Sequence, residues 1–209
     1  MQSIATSLLA YTAAAVVLVV TPGLDTALVL RTAAREGSRH ALLAGLGIIT
    51  GCMVWTAVVA AGLGVLLAAS RVAYTLLRWA GAVYLVWVGF NLLRHPRTGF
   101  ATDGGNLRRR GSAFVRGALT NLLNPKAGVF YVSVLPQFVP SDVPLVPYIL
   151  LLGVILAALG LVWFLCLIAT MRPLVAWLRH ASVMTALDRL TGGIFVAFGV
   201  GLALDARAR

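Results

Sequence analysis

Long apolar stretches constrain this chain more than any other feature. Six of them are long enough, at ~20 residues or more, for an α-helix to cross a bilayer. They cover 4–30, 41–69, 72–93, 114–139, 144–170 and 186–204, of which the last is the shortest. None alternates apolar and polar residues as a barrel strand does. Only 11% of the residues are charged, against about 25% in soluble domains. The pattern predicts an all-α integral membrane protein with six transmembrane helices in a single membrane domain, 1–209.

The net charge of +11 would favour nucleic-acid binding in a soluble protein. Here the arginines lie in short segments between apolar stretches, so we expect the lipid bilayer and no nucleic acid as a partner. The first, third and fifth loops, with the adjoining helix ends, hold 12 arginines, and the opposite side holds 4. The positive-inside rule therefore predicts that the basic loop 94–113 is cytoplasmic and that both termini are outside.

The sequence predicts an internal repeat, with halves at about 1–93 and 114–209; chance similarity between apolar segments is the alternative. Matching positions are 111, 108 and 103 residues apart for three motifs: 78–84 with 189–195, Trp55 with Trp163, and Thr21-Pro22-Gly23 with Asn124-Pro125-Lys126. Each half has three predicted helices, an odd number, so the second half enters the membrane in the opposite orientation. Inverted repeats are typical of secondary transporters, which bind substrate at the repeat interface.

Both copies of the third motif predict a broken helix. Thr21 and Asn124 are good N-cap residues, and each precedes a proline, which the first helical position tolerates. We therefore expect the first and fourth helices to be broken and Pro22 and Pro125 to start half-helices that face each other near the membrane centre. Such breaks survive in a membrane only inside protein or beside a wet cavity. A plain proline kink is the alternative at each site.

Two charged residues accompany the predicted breaks. Asp25 is interpreted as the single carboxylate inside a span, where a charge is costly and usually functional; it could bind an amino group or exchange a proton. Lys126 is the only lysine and lies near a half-helix N-terminus, where the dipole disfavours a cation. Its expected partner is Asp25 or a substrate carboxylate. The alternatives are an Asp that caps a helix at the membrane edge and a lysine that snorkels to the interface.

The expected binding site follows from these charges and their polar neighbours. One shared polar cavity would be lined by residues that bind substrate or proton: Asp25, Lys126, Thr21, Pro22, Gly23, Asn121, Asn124, Pro125 and Tyr131. The sequence shows no metal-ligand cluster, catalytic triad or phosphate loop, so we expect neither an enzyme nor a cofactor. Gly47 and Gly51 form a GxxxG pair that favours close helix packing within the chain, with a homodimer as the alternative.

Several of these motifs together resemble the LysE/RhtB family of amino-acid exporters over nearly the whole chain. They are Thr21-Pro22-Gly23-Leu24-Asp25, the glycine-rich entry 37–51, the stretch 80–89, and 114–126 with its Asn121 and Asn124-Pro125-Lys126. Leu24 stands where the family usually has a second proline. The resemblance implies outward transport of amino acids or close derivatives, driven by the proton gradient, by a multi-pass protein of the bacterial inner membrane.

Two other functions remain as alternatives. An ion or metal exporter of the same fold predicts more intramembrane carboxylates than Asp25 alone. A thiol–disulfide electron carrier would use Cys52 and Cys166, which lie in repeat-related spans. Those two cysteines do not align with each other in the repeat and have no proline nearby, so they are interpreted as inert buried thiols.

Overall fold

The computed structural model describes residues 4–69, 71–96, 112–124, 127–128, 130–170 and 180–205. Within them all regular structure is helical, which confirms the predicted all-α fold. In chain order the elements are α1 (Ile4–Val20), α2 (Leu24–Glu36), α3 (Ser38–Ala69), α4 (Arg71–Arg94), α5 (Ala113–Leu122), a π-helical segment (Phe130–Val134), a 3₁₀ turn (Leu135–Phe138), α6 (Leu145–Ala169) and α7 (Ala181–Asp205).

Three of these helices, α3, α6 and α7, are long and apolar enough to cross a membrane, and α1 with α2 can form a fourth, bent span. Large apolar side chains such as Leu9 and Val72 are exposed on the outside of the bundle, as expected where lipid is the solvent. The structure thus supports three or four spans in its described part, and the full count of six stays a prediction. Most of the predicted loop 94–113 falls in 97–111, outside the described residues.

The first predicted span is interrupted at Thr21-Pro22-Gly23, where α2 leaves α1 at an angle of 48°. Proline lacks the N–H that would continue the backbone ladder of α1. Gly23 is extended (φ −146°, ψ −162°) and caps α2, which begins at Leu24. The prediction that Pro22 starts the half-helix, with Thr21 as its N-cap, is therefore wrong by two residues.

The fourth predicted span is interrupted after α5. The backbone N–H of Gly128 donates to the Asn124 carbonyl over 3.1 Å, as it does when Asn124 stands at an N-cap. The chain then widens into the π-helical segment and tightens into the 3₁₀ turn, near whose start lies Pro136. Pro125 and Lys126 lie outside the described residues, so the start of this half-helix at Pro125 stays a prediction.

Glycines bring several helices into backbone contact. A Cβ atom on Gly47 of α3 would overlap the Phe114 carbonyl oxygen of α5, and one on Gly117 of α5 would overlap the Ala44 carbonyl oxygen of α3. Between α4 and α7, a Cβ on Gly89 would lie 2.6 Å from the Gly192 oxygen, and the reverse distance is 2.7 Å. The predicted close packing of the GxxxG helix within the chain is confirmed.

Two sets of polar contacts join distant parts of the chain at opposite ends of the α1–α2 pair. Near the start of α1, Ser7 donates to the Phe138 carbonyl and accepts from the Tyr148 hydroxyl, all buried. At the end of α2, a guanidinium nitrogen of Arg116 lies 2.7 Å from both carboxylate oxygens of Glu36. The second contact joins α2 to α5, and therefore one predicted half to the other.

Candidate functional site

The two helix interruptions meet at one cavity of about 90 Å³ in the interior of the bundle. α3 supplies Ile48, Ile49 and Cys52 to its wall, and α6 supplies Leu156, Gly160 and Phe164. The remaining wall comes from the two interrupted segments: Leu18, Val19, Thr21, Gly23, Asp25 and Thr26 from the first, and Asn121, Asn124, Ala127, Phe130 and Tyr131 from the second. The cavity is apolar except where these interrupted segments face it.

Most of the predicted site residues meet at this cavity. Thr21, Gly23, Asp25, Asn121, Asn124 and Tyr131 all line it. Pro22 is buried next to it but is not among the lining residues. Pro125 and Lys126 belong to the part of the chain that the structure does not describe, so the contact of Lys126 with Asp25 stays a prediction.

Asp25 and Asn121 join the two halves inside the cavity. The Asn121 side-chain nitrogen donates to a carboxylate oxygen of Asp25 over 3.0 Å. Asp25 lies in the first turn of α2, where the helix dipole stabilises a negative charge, and Asn121 lies in the last turn of α5 and is 1% exposed. Gly51 makes room for this amide, since a Cβ there would lie 2.8 Å from the Asn121 side-chain oxygen.

Thr21 connects the first interruption to α7. Its hydroxyl donates to the Val17 carbonyl over 2.7 Å and lies 2.6 Å from the hydroxyl of Thr191. Because the Thr21 proton is used toward Val17, Thr191 is the donor in the second bond. Thr191 was not among the predicted site residues, and nothing in its local sequence distinguishes it from a packing residue.

Asp188 is a buried carboxylate that the sequence interpretation missed. It is fully buried on α7, one turn before Thr191 and on the same helix face. Asp25 lies four residues after Thr21. Each of the two hydrogen-bonded threonines therefore has a carboxylate close to it along the chain. The expectation that Asp25 is the single carboxylate inside a span is wrong. The signal was available, because Asp188 lies within the sixth predicted apolar stretch.

The two cysteines occupy different environments. Cys52 is half-buried and lines the cavity, whereas Cys166 is exposed on α6, so the prediction that both are buried is wrong for Cys166. Both thiols are free. Among the residues with described placement, no three His, Cys, Asp or Glu side chains come together in an arrangement that could hold a metal ion.

The geometry of the cavity suits a small polar molecule with a cationic group. A carboxylate and its amide partner face the interior, next to a threonine hydroxyl and a tyrosine. The remaining apolar walls lower the dielectric around the carboxylate, which strengthens an ionic contact made there. The small volume of about 90 Å³ excludes a large ligand from the cavity in this conformation.

Comparisons with known proteins place the chain in a family. The profile of the family described as LysE type translocator matches residues 16–206. Bacillus subtilis strain 168 has a membrane protein, YrhP, of uncharacterised function; it is 31% identical, and the alignment covers 95% of this chain and 99% of YrhP.

Two further relatives carry functional names. The homoserine/homoserine lactone efflux protein of Salmonella typhimurium is 32% identical, with 93% of this chain and 94% of that protein covered. The threonine efflux protein of Escherichia coli K12 is 29% identical, with 91% and 94% covered. No solved structure gives a significant match. The family match spans most of the chain, and the chain therefore belongs to the LysE type translocators, which are bacterial inner-membrane proteins.

Proposed function

We propose that this translocator is a secondary transporter that exports amino acids or close derivatives across the inner membrane, coupled to proton entry. The observation that carries the proposal is the Asp25–Asn121 hydrogen bond at the cavity between the two helix interruptions. The Asp25 carboxylate at this cavity would bind the substrate amine. Relatives named as homoserine and threonine efflux proteins support an amino-acid substrate.

Paired contacts between α3 and α6 support the proposed inverted repeat. Gly45 packs against Phe164, with 3.4 Å between the position of a Cβ and the Phe164 ring, and Gly153 packs against Thr56. Gly153 follows Gly45 by 108 residues, and Phe164 follows Thr56 by 108 residues. Trp55 and Trp163 have the same separation. A shift of 108 residues therefore relates the glycine of each contact to the glycine of the other, and Thr56 to Phe164, as expected for two elements related by a two-fold axis.

The cavity suggests how a zwitterion would be held. The substrate amine would meet Asp25, and its carboxylate would meet Lys126 and the backbone N–H groups of the half-helix that resumes after Asn124, where the dipole favours an anion. A proton arriving from outside would neutralise Asp25, weaken its attraction for the amine and favour release. The basic loop 94–113 would lie in the cytoplasm, at the end of the bundle closed by the Glu36–Arg116 ion pair.

Asp188 favours one alternative, an ion exporter of the same fold. A second buried carboxylate is what such a transporter would need, and the interpretation based on Asp25 alone discounted it. The two functions differ in substrate rather than in the expected role of Asp25. They are separated by measuring which solute crosses the membrane.

The test is export from proteoliposomes that contain the purified protein. Vesicles loaded with a mixture of labelled amino acids should lose a subset of them faster than empty vesicles do, and an imposed proton gradient should increase the rate. Loss of monovalent or divalent cations without loss of any amino acid would favour the ion exporter. Absence of gradient dependence would remove proton coupling from the proposal.

Asp25→Asn is the variant that connects the transport to the site. Export should fall to the level of empty vesicles, while the thermal unfolding midpoint in detergent stays close to that of the unmodified protein, because Asn keeps the shape of the side chain. Asp142→Asn is the matched control, since Asp142 is exposed in a turn outside the cavity. Full export by Asp25→Asn would refute the proposed site.

A further inference from the structure

Two buried polar atoms at the cavity make no hydrogen bond with any described residue: the side-chain oxygen of Asn121 and the hydroxyl of Tyr131. Both residues line the cavity and are 1% exposed. The amide nitrogen of Asn121 is already used toward Asp25, so only its oxygen is available. The Cys52 thiol lies beside both groups, and the Thr56 hydroxyl lies beside that of Tyr131. The thiol is only a weak donor, and the Thr56 hydroxyl already donates to the Cys52 carbonyl.

Such groups indicate what a ligand must offer. Buried polar atoms in proteins are almost always paired, and an unpaired one calls for a missing water or ligand. An amide oxygen only accepts a hydrogen bond, whereas a phenol hydroxyl can both donate and accept. A ligand hydroxyl matches both, because it can donate to Asn121 and accept from Tyr131 at the same time. A methyl group in the same place would leave both atoms unpaired.

We infer that Asn121 and Tyr131 form a subsite for the side-chain hydroxyl of a small hydroxy amino acid. The inference rests on the proposed function and names the substrate class of the same cavity. The substrate amine faces Asp25, and Asn121 bridges the two parts of the site, with its nitrogen on Asp25 and its oxygen toward the substrate hydroxyl. The small volume of about 90 Å³ favours a short side chain.

Selectivity in the unmodified protein gives the first test. Threonine and valine have nearly the same shape and differ by a hydroxyl in place of a methyl group; homoserine and norvaline form a second such pair. Sites that hydrogen-bond a substrate hydroxyl discriminate strongly against analogues that lack it. We expect proteoliposomes to export threonine over valine, and homoserine over norvaline, by at least about 10-fold. Equal export within both pairs would overturn the inference without affecting the proposed function.

Tyr131→Phe gives the second test, and Tyr11→Phe is its matched control. The variant removes the hydroxyl that would donate to the substrate hydroxyl and keeps the ring, so the threonine-to-valine export ratio should fall to about 1. Tyr11 is also fully buried, but its hydroxyl donates to the Leu152 carbonyl over 2.9 Å and it does not line the cavity. Tyr11→Phe should lower the unfolding temperature and leave the threonine-to-valine ratio unchanged.

The outcomes distinguish the hydroxyl subsite from the proposed amino-acid export. An unchanged threonine-to-valine ratio in Tyr131→Phe, or an equal loss of both substrates, would overturn the hydroxyl subsite and leave amino-acid export intact. No export of any amino acid by the unmodified protein would instead overturn the proposed function. The selectivity measurement on the unmodified protein needs no variant, so it decides the question even if Tyr131→Phe does not fold.

Discussion

The two helix interruptions carry matching sequence motifs, yet they differ in structure and in the chemistry they present. At the first, three residues separate two regular α-helices and Gly23 makes no side-chain cap. At the second, the Asn124 carbonyl begins the resumed backbone ladder, which soon widens into a π-helical segment. The first presents the carboxylate Asp25 to the cavity, and the second presents the neutral groups of Asn121 and Tyr131.

This difference shows how two matching motifs can take different roles. The regular α2 keeps Asp25 in a first turn, where the dipole stabilises its charge. The π-helical segment has more residues per turn than an α-helix, and such segments are frequent at functional sites; here it carries Tyr131. A symmetric pair of interruptions would present the same groups twice, whereas the observed pair can bind the two ends of an asymmetric molecule.

The largest expected effect concerns the charge that the second interruption should contribute. Lys126→Met should reduce amino-acid export to background, because the substrate carboxylate would lose its cation and Asp25 its predicted partner. Lys126→Arg keeps the charge and should retain part of the activity. Initial rates of export from proteoliposomes measure both variants. Normal export by Lys126→Met would mean that the second interruption contributes only neutral groups to the site.

A smaller effect is expected where the two interruptions are held together. Gly51→Ala places a Cβ atom 2.8 Å from the Asn121 side-chain oxygen and 3.0 Å from its Cβ, which should push Asn121 away from Asp25. Loss of a hydrogen bond to a charged group costs about 1.5–3 kcal/mol, so export should fall by about 10-fold or more. Gly62→Ala in the same helix is the control, since nothing lies within 4 Å of its Cβ position. Equal rates for the two variants would contradict the positioning role of Gly51.

The caps of the two resumed helices should differ in their contribution to stability. Asn124→Ala removes a favoured N-cap side chain and should cost about 1 kcal/mol of unfolding free energy. Gly23→Ala should cost less, because Gly23 makes no side-chain cap, its φ suits alanine and its Cβ position is open. Thermal unfolding midpoints in detergent compare the two variants. A larger loss of stability in Gly23→Ala than in Asn124→Ala would contradict the N-cap role of the Asn124 side chain.

The smallest expected effect is that of Cys166, which lies outside both interruptions. Cys166→Ala should leave amino-acid export unchanged, because this side chain is exposed on α6 and does not line the cavity. A thiol–disulfide carrier needs both cysteines, so a single replacement is enough to test that function. Complete loss of activity in a folded Cys166→Ala protein would revive the electron carrier.

Sequence reasoning was most effective where a residue type is rare in its surroundings. Proline and Asp25 inside apolar stretches marked the first interruption and the cavity, and Asn124 with Pro125 marked the second. The exact start of α2 was missed because the pairing with Asn124-Pro125 gave Thr21 the role that the extended Gly23 has. Thr191 could not be found from the sequence, since only the fold brings its hydroxyl to Thr21.

Asp188 was missed for a different reason. It stands near the beginning of an apolar stretch, beside Arg189, where a carboxylate is easily interpreted as part of a loop. In the structure α7 begins at Ala181 rather than at residue 186, so Asp188 lies two turns inside the helix. Because the predicted helix start was five residues too late, a fully buried carboxylate was interpreted as part of a helix end.

The contact between α3 and α5 has a mechanical consequence. With Gly47 and Gly117 in direct backbone contact, no layer of side chains separates the two helices, and sliding one along the other would force atoms to overlap. The pair is therefore the stiff wall of the cavity, and α5 ends only two residues before Asn124. We therefore expect a rearrangement that admits a solute to leave this pair together and to move the elements around it.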